Sequence, residues 1–176
     1  MTGENIETCF PAARLNVVLV EPEIPQNTGA VARLCAATTS PLHLVGTLGF
    51  RIDEKSVRRA GVDYWHLVDL RRHLDLAHFG QAVPSERWFL FSALAERSYL
   101  DAPFRPGDAL LFGRESTGLA EDLLAQHPDR VLGIPTSGAV RSLNLSNAVA
   151  IVLYEALRKT GALAGARRVA LPAAER

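Results

Sequence analysis

The sequence predicts one α/β domain, a mostly parallel sheet covered by helices on both faces, and three observations carry that expectation. Six short runs, Leu15–Val20, Leu42–Val45, Tyr64–Val68, Trp88–Phe91, Asp108–Phe112 and Val131–Ile134, are apolar nearly throughout rather than alternating. Strands buried on both faces have that composition. Segments with helical spacing separate most of these runs, and strands alternating with helices build parallel sheets. The chain has 176 residues, 48% of them hydrophobic and 22% charged, which is the size and composition of a single globular domain with a substantial core.

Taken in order, residues 1–14 lack periodicity and are expected to form a loose arm. The first strand runs into Glu21–Gly29, a loop punctuated by Pro22 and Pro25. A helix follows, capped by Asn27 or Thr28, with Ala30, Val31, Leu34 and Cys35 on its buried side. Asp53–Ala60 reads as a short charged helix. Leu70–Phe79 reads as another, with Leu70, Leu74 and Ala77 at core spacing, and a further helix spans about Ala120–Gln126. The last helix, Ala148–Leu157, is capped by Asn144 or Ser146 and stops near Gly161. Val149, Val152, Leu153 and Ala156 supply its stripe, yet Ala150, Ile151 and Tyr154 make its other side apolar as well. A helix that is apolar all round is buried all round, so a second subunit is expected to cover the remainder. The domain therefore spans 15–161, and the Ala- and Arg-rich residues 162–176 read as a tail.

Several function classes are unsupported. The formal net charge is zero, so contact with nucleic acid must rest on a local basic face. There is no membrane-length apolar run and no signal-peptide pattern at the start, so a cytoplasmic protein without membrane partners is expected. Two cysteines, Cys9 and Cys35, form neither a disulfide framework nor a zinc pattern, and the five histidines lack metal-ligand spacing, so no metal is expected.

Three polar loops lie at strand ends, where open α/β sheets bind ligands. They are Asn27-Thr28-Gly29 with Arg33, then Gly113–Leu119, then Arg141–Asn147. No G-x-G-x-x-G follows a strand. Gly113 and Gly118 have the spacing of a phosphate loop, but Leu119 stands where its lysine must be, and there is no G-x-S-x-G elbow.

Asn27-Thr28-Gly29 with Arg33, Leu111–Leu119, and Ile134-Pro135 with Ser142–Asn147 resemble, in order and spacing, the three motifs of the SPOUT (SpoU–TrmD) RNA 2′-O-methyltransferases. Glu21–Asn27 and Arg59–Trp65 are similar to the small single-domain branch that methylates the ribose of the tRNA wobble nucleotide. The resemblance covers about Leu15 to Gly161. It implies a C-terminal trefoil knot, S-adenosyl-L-methionine as methyl donor, an obligate homodimer and tRNA as the partner. It places the cofactor against Phe91, Ser92, Gly113, Ile134, Ser142 and Leu143, with Gly113 admitting close backbone approach to the ligand. It makes Arg33 the key catalytic residue, with Asn27 positioning Arg33 or the ribose. Glu115 would orient Arg33 or the third loop, and Ser146 and Asn147 would complete the polar wall by hydrogen bonds between loops. A guanidinium is a poor proton acceptor, so Arg33 suits holding a phosphate and stabilising a nascent alkoxide. Tyr154 is either a core aromatic or a residue reaching the partner's site.

For RNA phosphates, Arg51, Lys55, Arg58 and Arg59 share one helical face and, with Arg71 and Arg72, form the first basic candidate. Arg158, Lys159, Arg167 and Arg168 form the second. The chain departs from the family pattern at Arg114, usually proline in close relatives, and at Ser92-Ala93-Leu94, which replaces a Thr-Thr-Lys-like segment. The rival readings are the same methyl transfer at another tRNA or rRNA site, and a catalytically silent RNA-binding module.

Overall fold

The computed structural model describes residues 14–50 and 65–164. Six strands, β1 (Asn16–Val20), β2 (Leu42–Val45), β3 (Leu70–His73), β4 (Trp88–Phe91), β5 (Ala109–Phe112) and β6 (Val131–Leu132), form one sheet. Their order is β3-β2-β1-β5-β4-β6, and every adjacent pair is parallel. The α-helices among the described residues are α1 (Pro25–Thr38), α2 (Leu76–Ala82), α3 (Glu121–Gln126) and α4 (Leu145–Lys159).

Apolar strands occupy both faces because successive side chains point to opposite sides. One row, Leu44, Leu19, Phe112, Phe91 and Leu132, runs across five strands in register. It packs with Val31, Ala32 and Cys35 of α1 and with Val149, Val152 and Leu153 of α4. On the opposite face, Val18, Leu111 and Leu90 pack with Phe79 of α2 and Leu123 of α3. Burial of Cys35 raises its thiol pKa, so this cysteine is a core residue rather than a reactive thiol. The β1 and β5 strands lie side by side at the centre, and the chain moves outward from them in opposite directions. Such a reversal opens a crevice beyond the carboxyl ends of the strands.

Several sequence expectations are corrected. The third strand is Leu70–His73, not Tyr64–Val68; Trp65–Leu67 forms a 3₁₀ turn, and the helix expected over Leu70–Phe79 begins only at Leu76. This strand ends the sheet, so Arg71 and Arg72 face solvent and the apolar pattern fails there; charged side chains also protect an edge from further pairing. Ala30 is exposed, while Ala32 is buried. Neither Asn27 nor Thr28 caps α1: the helix begins at Pro25, a residue suited to that position, and both lie inside it, buried. The sixth strand stops at Leu132, short of Ile134. The helix expected over Asp53–Ala60 and the basic residues Arg51, Lys55, Arg58 and Arg59 lie outside the described residues, as do Arg167 and Arg168. At the other end, α4 stops where expected, with Gly161 at φ +75.

A polar inclusion ties β1, β2 and β3 together. His43 is fully buried, with Nε2 3.2 Å from Asn16 Oδ1 and Nδ1 2.9 Å from His73 Nε2. Asn16 Nδ2 donates to the Gly107 carbonyl at 3.0 Å, so Oδ1 is the acceptor and His43 Nε2 carries the proton. His43 Nδ1 then accepts from His73 Nε2, which makes His43 neutral and fixes its tautomer. Burial, then the neighbouring His73 and Arg71, pulls the His43 pKa down to about 4. An unfolded histidine titrates near pH 6.5, so between that pH and about 4 the unfolded chain holds a proton that His43 refuses. Stability is therefore expected to fall as pH drops through this window. Urea unfolding midpoints at pH 7.5 and pH 5, with the His43 ring followed by NMR, check this; a ring that protonates near pH 6.5 in the folded protein would contradict it.

Candidate functional site

The crevice at the carboxyl ends of β1, β4, β5 and β6 is walled by three segments, 21–29, 113–118 and 133–144. The first two are locked by an exchange of bonds. Glu115 accepts from the backbone N–H of Glu23 at 2.8 Å and of Ile24 at 3.2 Å, and from Asn27 Nδ2 at 3.0 Å. In return, the Glu23 carboxylate accepts from the Ser116 N–H and hydroxyl, both at 2.9 Å. Those two bonds hold the Glu23 carboxyl below the usual carboxylate range. Helix α1 has Ile24 at its cap position and no cap from its own side chains. Glu115 supplies the acceptor from another loop, and its charge also suits the positive end of the helix.

The third segment joins through Asn144. Its Nδ2 donates to Asn27 Oδ1 at 3.0 Å, while its Oδ1 accepts from Ser146 N at 3.0 Å, Ser146 Oγ at 2.7 Å and Asn147 N at 3.4 Å. Asn144 is thus the cap of α4, one of the two expected residues, and at the same time the bridge to α1. Ser146 is not the cap. Among the described residues, Ser146 and Asn147 bond only within their own turn, so the inter-loop bonds expected of them are made by Asn144 instead. An asparagine carries a donor and an acceptor and so serves two helix starts, whereas a serine hydroxyl in the first turn falls back on the nearest oxygen. Sequence reasoning placed Asn144 at the cap but missed its bridging role. No local signal marks a partner 117 positions away.

The remaining residues line the same end. Phe91 ends β4 with its ring stacked on Phe112 at 4.7 Å, in the core of the sheet. Ser92 donates its N–H to Leu132 O at 3.0 Å and accepts from Leu94 N at 3.2 Å. Gly113 is required by the chain itself: a Cβ there would lie 2.1 Å from the Gly118 carbonyl carbon and 2.2 Å from Leu119 N. The close approach expected to be to a ligand is therefore an approach to Gly118 and Leu119, whose loop closes through paired bonds between Arg114 and Gly118. Gly133 is similarly confined, its missing Cβ 2.7 Å from Ala95 O. Arg33 stands exposed on α1, a little under two turns beyond Asn27. Arg114 pairs with Glu21, Nε to Oε2 at 3.0 Å, adding an exposed tie between the first two loops. On α4, Ile151 and Tyr154 are 38% and 45% exposed, so Tyr154 is not a core residue of this chain. Arg71 is bound to Asp69 by two bonds, at 3.0 and 2.8 Å.

Between Ile134 and Leu143 the backbone makes no backbone hydrogen bond with another described residue, and Ile134 and Leu143 are half-buried. Gly138 N–H and Ala139 N–H turn to Thr136 Oγ1 and Ser137 Oγ within the loop; the other backbone groups, beside apolar side chains, suit a flat, neutral, donor-and-acceptor-bearing ring such as a purine. Among the described residues, no group of three or more His, Cys, Asp or Glu side chains is placed to hold a metal ion.

This arrangement defines a class: a parallel α/β protein with three polar loops interlocked at the carboxyl ends of its strands. The chain belongs to the SpoU rRNA methylase family, whose profile matches residues 14–154. A putative tRNA (cytidine(34)-2′-O)-methyltransferase of Geobacillus stearothermophilus is 47% identical over 148 residues, 82% of this chain and 94% of that protein. A solved structure concerned with 2-OH methylation of C/U34 on tRNA is 52% identical, with a TM-score of 0.78 over 83% of this chain and 95% of that one. An AdoMet-bound rRNA methyltransferase from Sinorhizobium meliloti is 26% identical, with a TM-score of 0.70 over 82% of this chain and 56% of that one.

Two substitutions separate the functions of Asn144. Asn144→Ala removes cap and bridge together and is expected to cost about 1–2 kcal/mol, read as a lower urea midpoint. Asn144→Asp keeps the cap but turns oxygen against Asn27 Oδ1. It is expected to cost less stability while lowering the NMR backbone order parameters of 134–143; unchanged order parameters would mean that the bridge does not hold the loop.

Proposed function

We propose that this chain transfers a methyl group from S-adenosyl-L-methionine to the ribose 2′-hydroxyl of the wobble nucleotide of tRNA, a cytidine or uridine. The observation that carries the reading is the interlock of Glu115, Asn27 and Asn144, which gathers the three family motifs at one crevice. Its support outside the site is the likeness to proteins named for that reaction, at 47% identity across most of both chains.

When bound, S-adenosyl-L-methionine would supply a sulfonium methyl to the ribose oxygen, the carbon–sulfur bond breaking to leave a neutral thioether while the hydroxyl proton passes to solvent. The open backbone of 134–143, with Phe91, Ser92, Gly113, Ser142 and Leu143 around it, would hold the purine and ribose of that donor. On the other wall, Arg33 would fix the phosphate beside the target ribose and stabilise negative charge as it develops on the oxygen. Asn27 and Glu115 are positioning residues: they fix the start of the helix that carries Arg33. Ser146 and Asn147 support that wall only through the first turn of α4.

The exposed Ile151 and Tyr154, beside a stripe already buried in the core, support a homodimer in which α4 is shared. The return of the chain from β6 at the sheet's edge to α4, which packs against α1 and β5 at its centre, supports a trefoil knot at the C-terminal end. Among the described residues no helix is long and apolar enough to cross a membrane, and a tRNA substrate suits the cytoplasm.

The test is incubation of unmodified bulk tRNA with labelled methyl donor, followed by mapping of the methylated nucleotide. Label at the wobble ribose is the expected result. Label at another tRNA position, or only in rRNA, would move the substrate, and RNA binding without label would mean a silent module. Arg33→Ala is expected to lower kcat by at least about 10²-fold with donor affinity unchanged, since its interactions strengthen as charge develops. Equal losses in kcat and donor binding would make Arg33 structural.

A further inference from the structure

At the opposite end of the strands, the amino ends of β4, β5 and β6 surround a cavity of about 120 Å³, lined by Glu86, Arg87, Pro103, Arg105, Asp108 and Arg130. Asp108 is 3% exposed and already committed: Oδ1 lies 2.8 Å from Arg87 Nε, and Oδ2 accepts from the Arg105 N–H at 2.6 Å. Arg87 also donates through Nη2 to the Pro106 carbonyl. Arg130 Cζ lies over the Phe89 ring, 5.0 Å from its centroid, a cation–π contact that holds the side chain at the cleft. Neither the Arg105 nor the Arg130 guanidinium forms an ion pair with a carboxylate among the described residues. The exposed Glu86 is the one acid of the lining not already engaged.

We propose that this cleft is a contact site for an RNA backbone phosphate, with Arg105 and Arg130 as its donors and the Arg87–Asp108 pair as its floor. Guanidinium forks match phosphate oxygens two at a time, and neither the Arg105 nor the Arg130 fork is taken by a carboxylate among the described residues. The aromatic rings beneath the cleft, Phe89 and Phe104, are buried at 1% and 6% exposure, so no ring stands open to stack a base. A sugar–phosphate backbone crossing the cleft is the occupant that uses its charge without needing such a ring. Five residues of extended chain from Asp108 to Gly113 set the cleft about 16 Å from the crevice. It therefore grips substrate away from the reacting ribose. The proposal rests on RNA as the substrate of this chain.

The test is equilibrium binding of unmodified tRNA across a salt series, with wild type, Arg105→Gln, Arg130→Met and the double variant. Arg87 is left intact, because its loss would strand a buried carboxylate. Loss of one phosphate contact is expected to weaken tRNA binding about tenfold at 0.1 M salt and to flatten the log–log salt slope by about one, with donor affinity and unfolding midpoint unchanged. Unchanged affinity and slope overturn the proposal while leaving methyl transfer by the wild type standing. A flattened slope in a protein that transfers no methyl group keeps the cleft and fails the proposed function. Inorganic phosphate that shifts the Arg105 and Arg130 side-chain N–H signals while the tRNA slope stays unaltered marks a small-anion site and overturns the RNA assignment. A wild type that binds no tRNA ends both.

Discussion

Glu115 is the constraint on which the site depends. A loop that leaves β5 reaches across the crevice and gives one carboxylate to two backbone amides and a side-chain amide at the start of α1. Without it α1, which starts at Pro25, would leave the N–H of its cap residue Ile24 with no side-chain acceptor. The same carboxylate orients Asn27, and Asn27 receives the bond from Asn144 that ties in α4. One charged group thus sets the relative position of two helices and two loops. The helices already pack together on the sheet, which keeps the linkage short enough for bonds near 3 Å.

The two ends of the sheet have different chemistry for a structural reason. At the carboxyl ends, the segment 134–143 leaves β6 without entering any ladder, so neutral backbone groups remain available beside apolar side chains. At the amino ends, short 3₁₀ turns ending at Arg87 and Arg130 lead directly into β4 and β6 and deliver guanidinium groups to that end of the strands. A neutral nucleoside-like group suits the first end and a bare phosphate the second. The histidine pair between β2 and β3 belongs to neither end. The His43 tautomer is fixed by Asn16, and the pair contributes a polar link under the outermost strand.

Residue patterns made most of the architecture legible where both faces are covered. The runs at Leu42, Trp88 and Ala109 are apolar because each strand carries one row for α1 and α4 and another for α2 and α3. The pattern broke at β3 because an edge strand has one neighbour and open faces, so Leu70–His73 had no need of an apolar run, while Trp65 and Leu67 imitated one in a turn. The three motif loops were legible as polar interruptions after strands. Their internal logic was not: Gly113 answers to Gly118 and Leu119 of its own loop, and Asn144 rather than Ser146 crosses between segments.

By itself the sequence determined the fold class, the family and the three loops, because strand burial, helix spacing and motif order are local and survive without knowledge of contacts. Only the tertiary structure decided which polar groups meet. Glu115 and Asn27 are separated by 88 positions, and Asn27 and Asn144 by 117, so their pairing exists only once the sheet has brought its strand ends together. The arginine cleft has the same origin: Arg87, Arg105 and Arg130 are unremarkable one at a time, and become a site because three parallel strands begin at one end of the sheet.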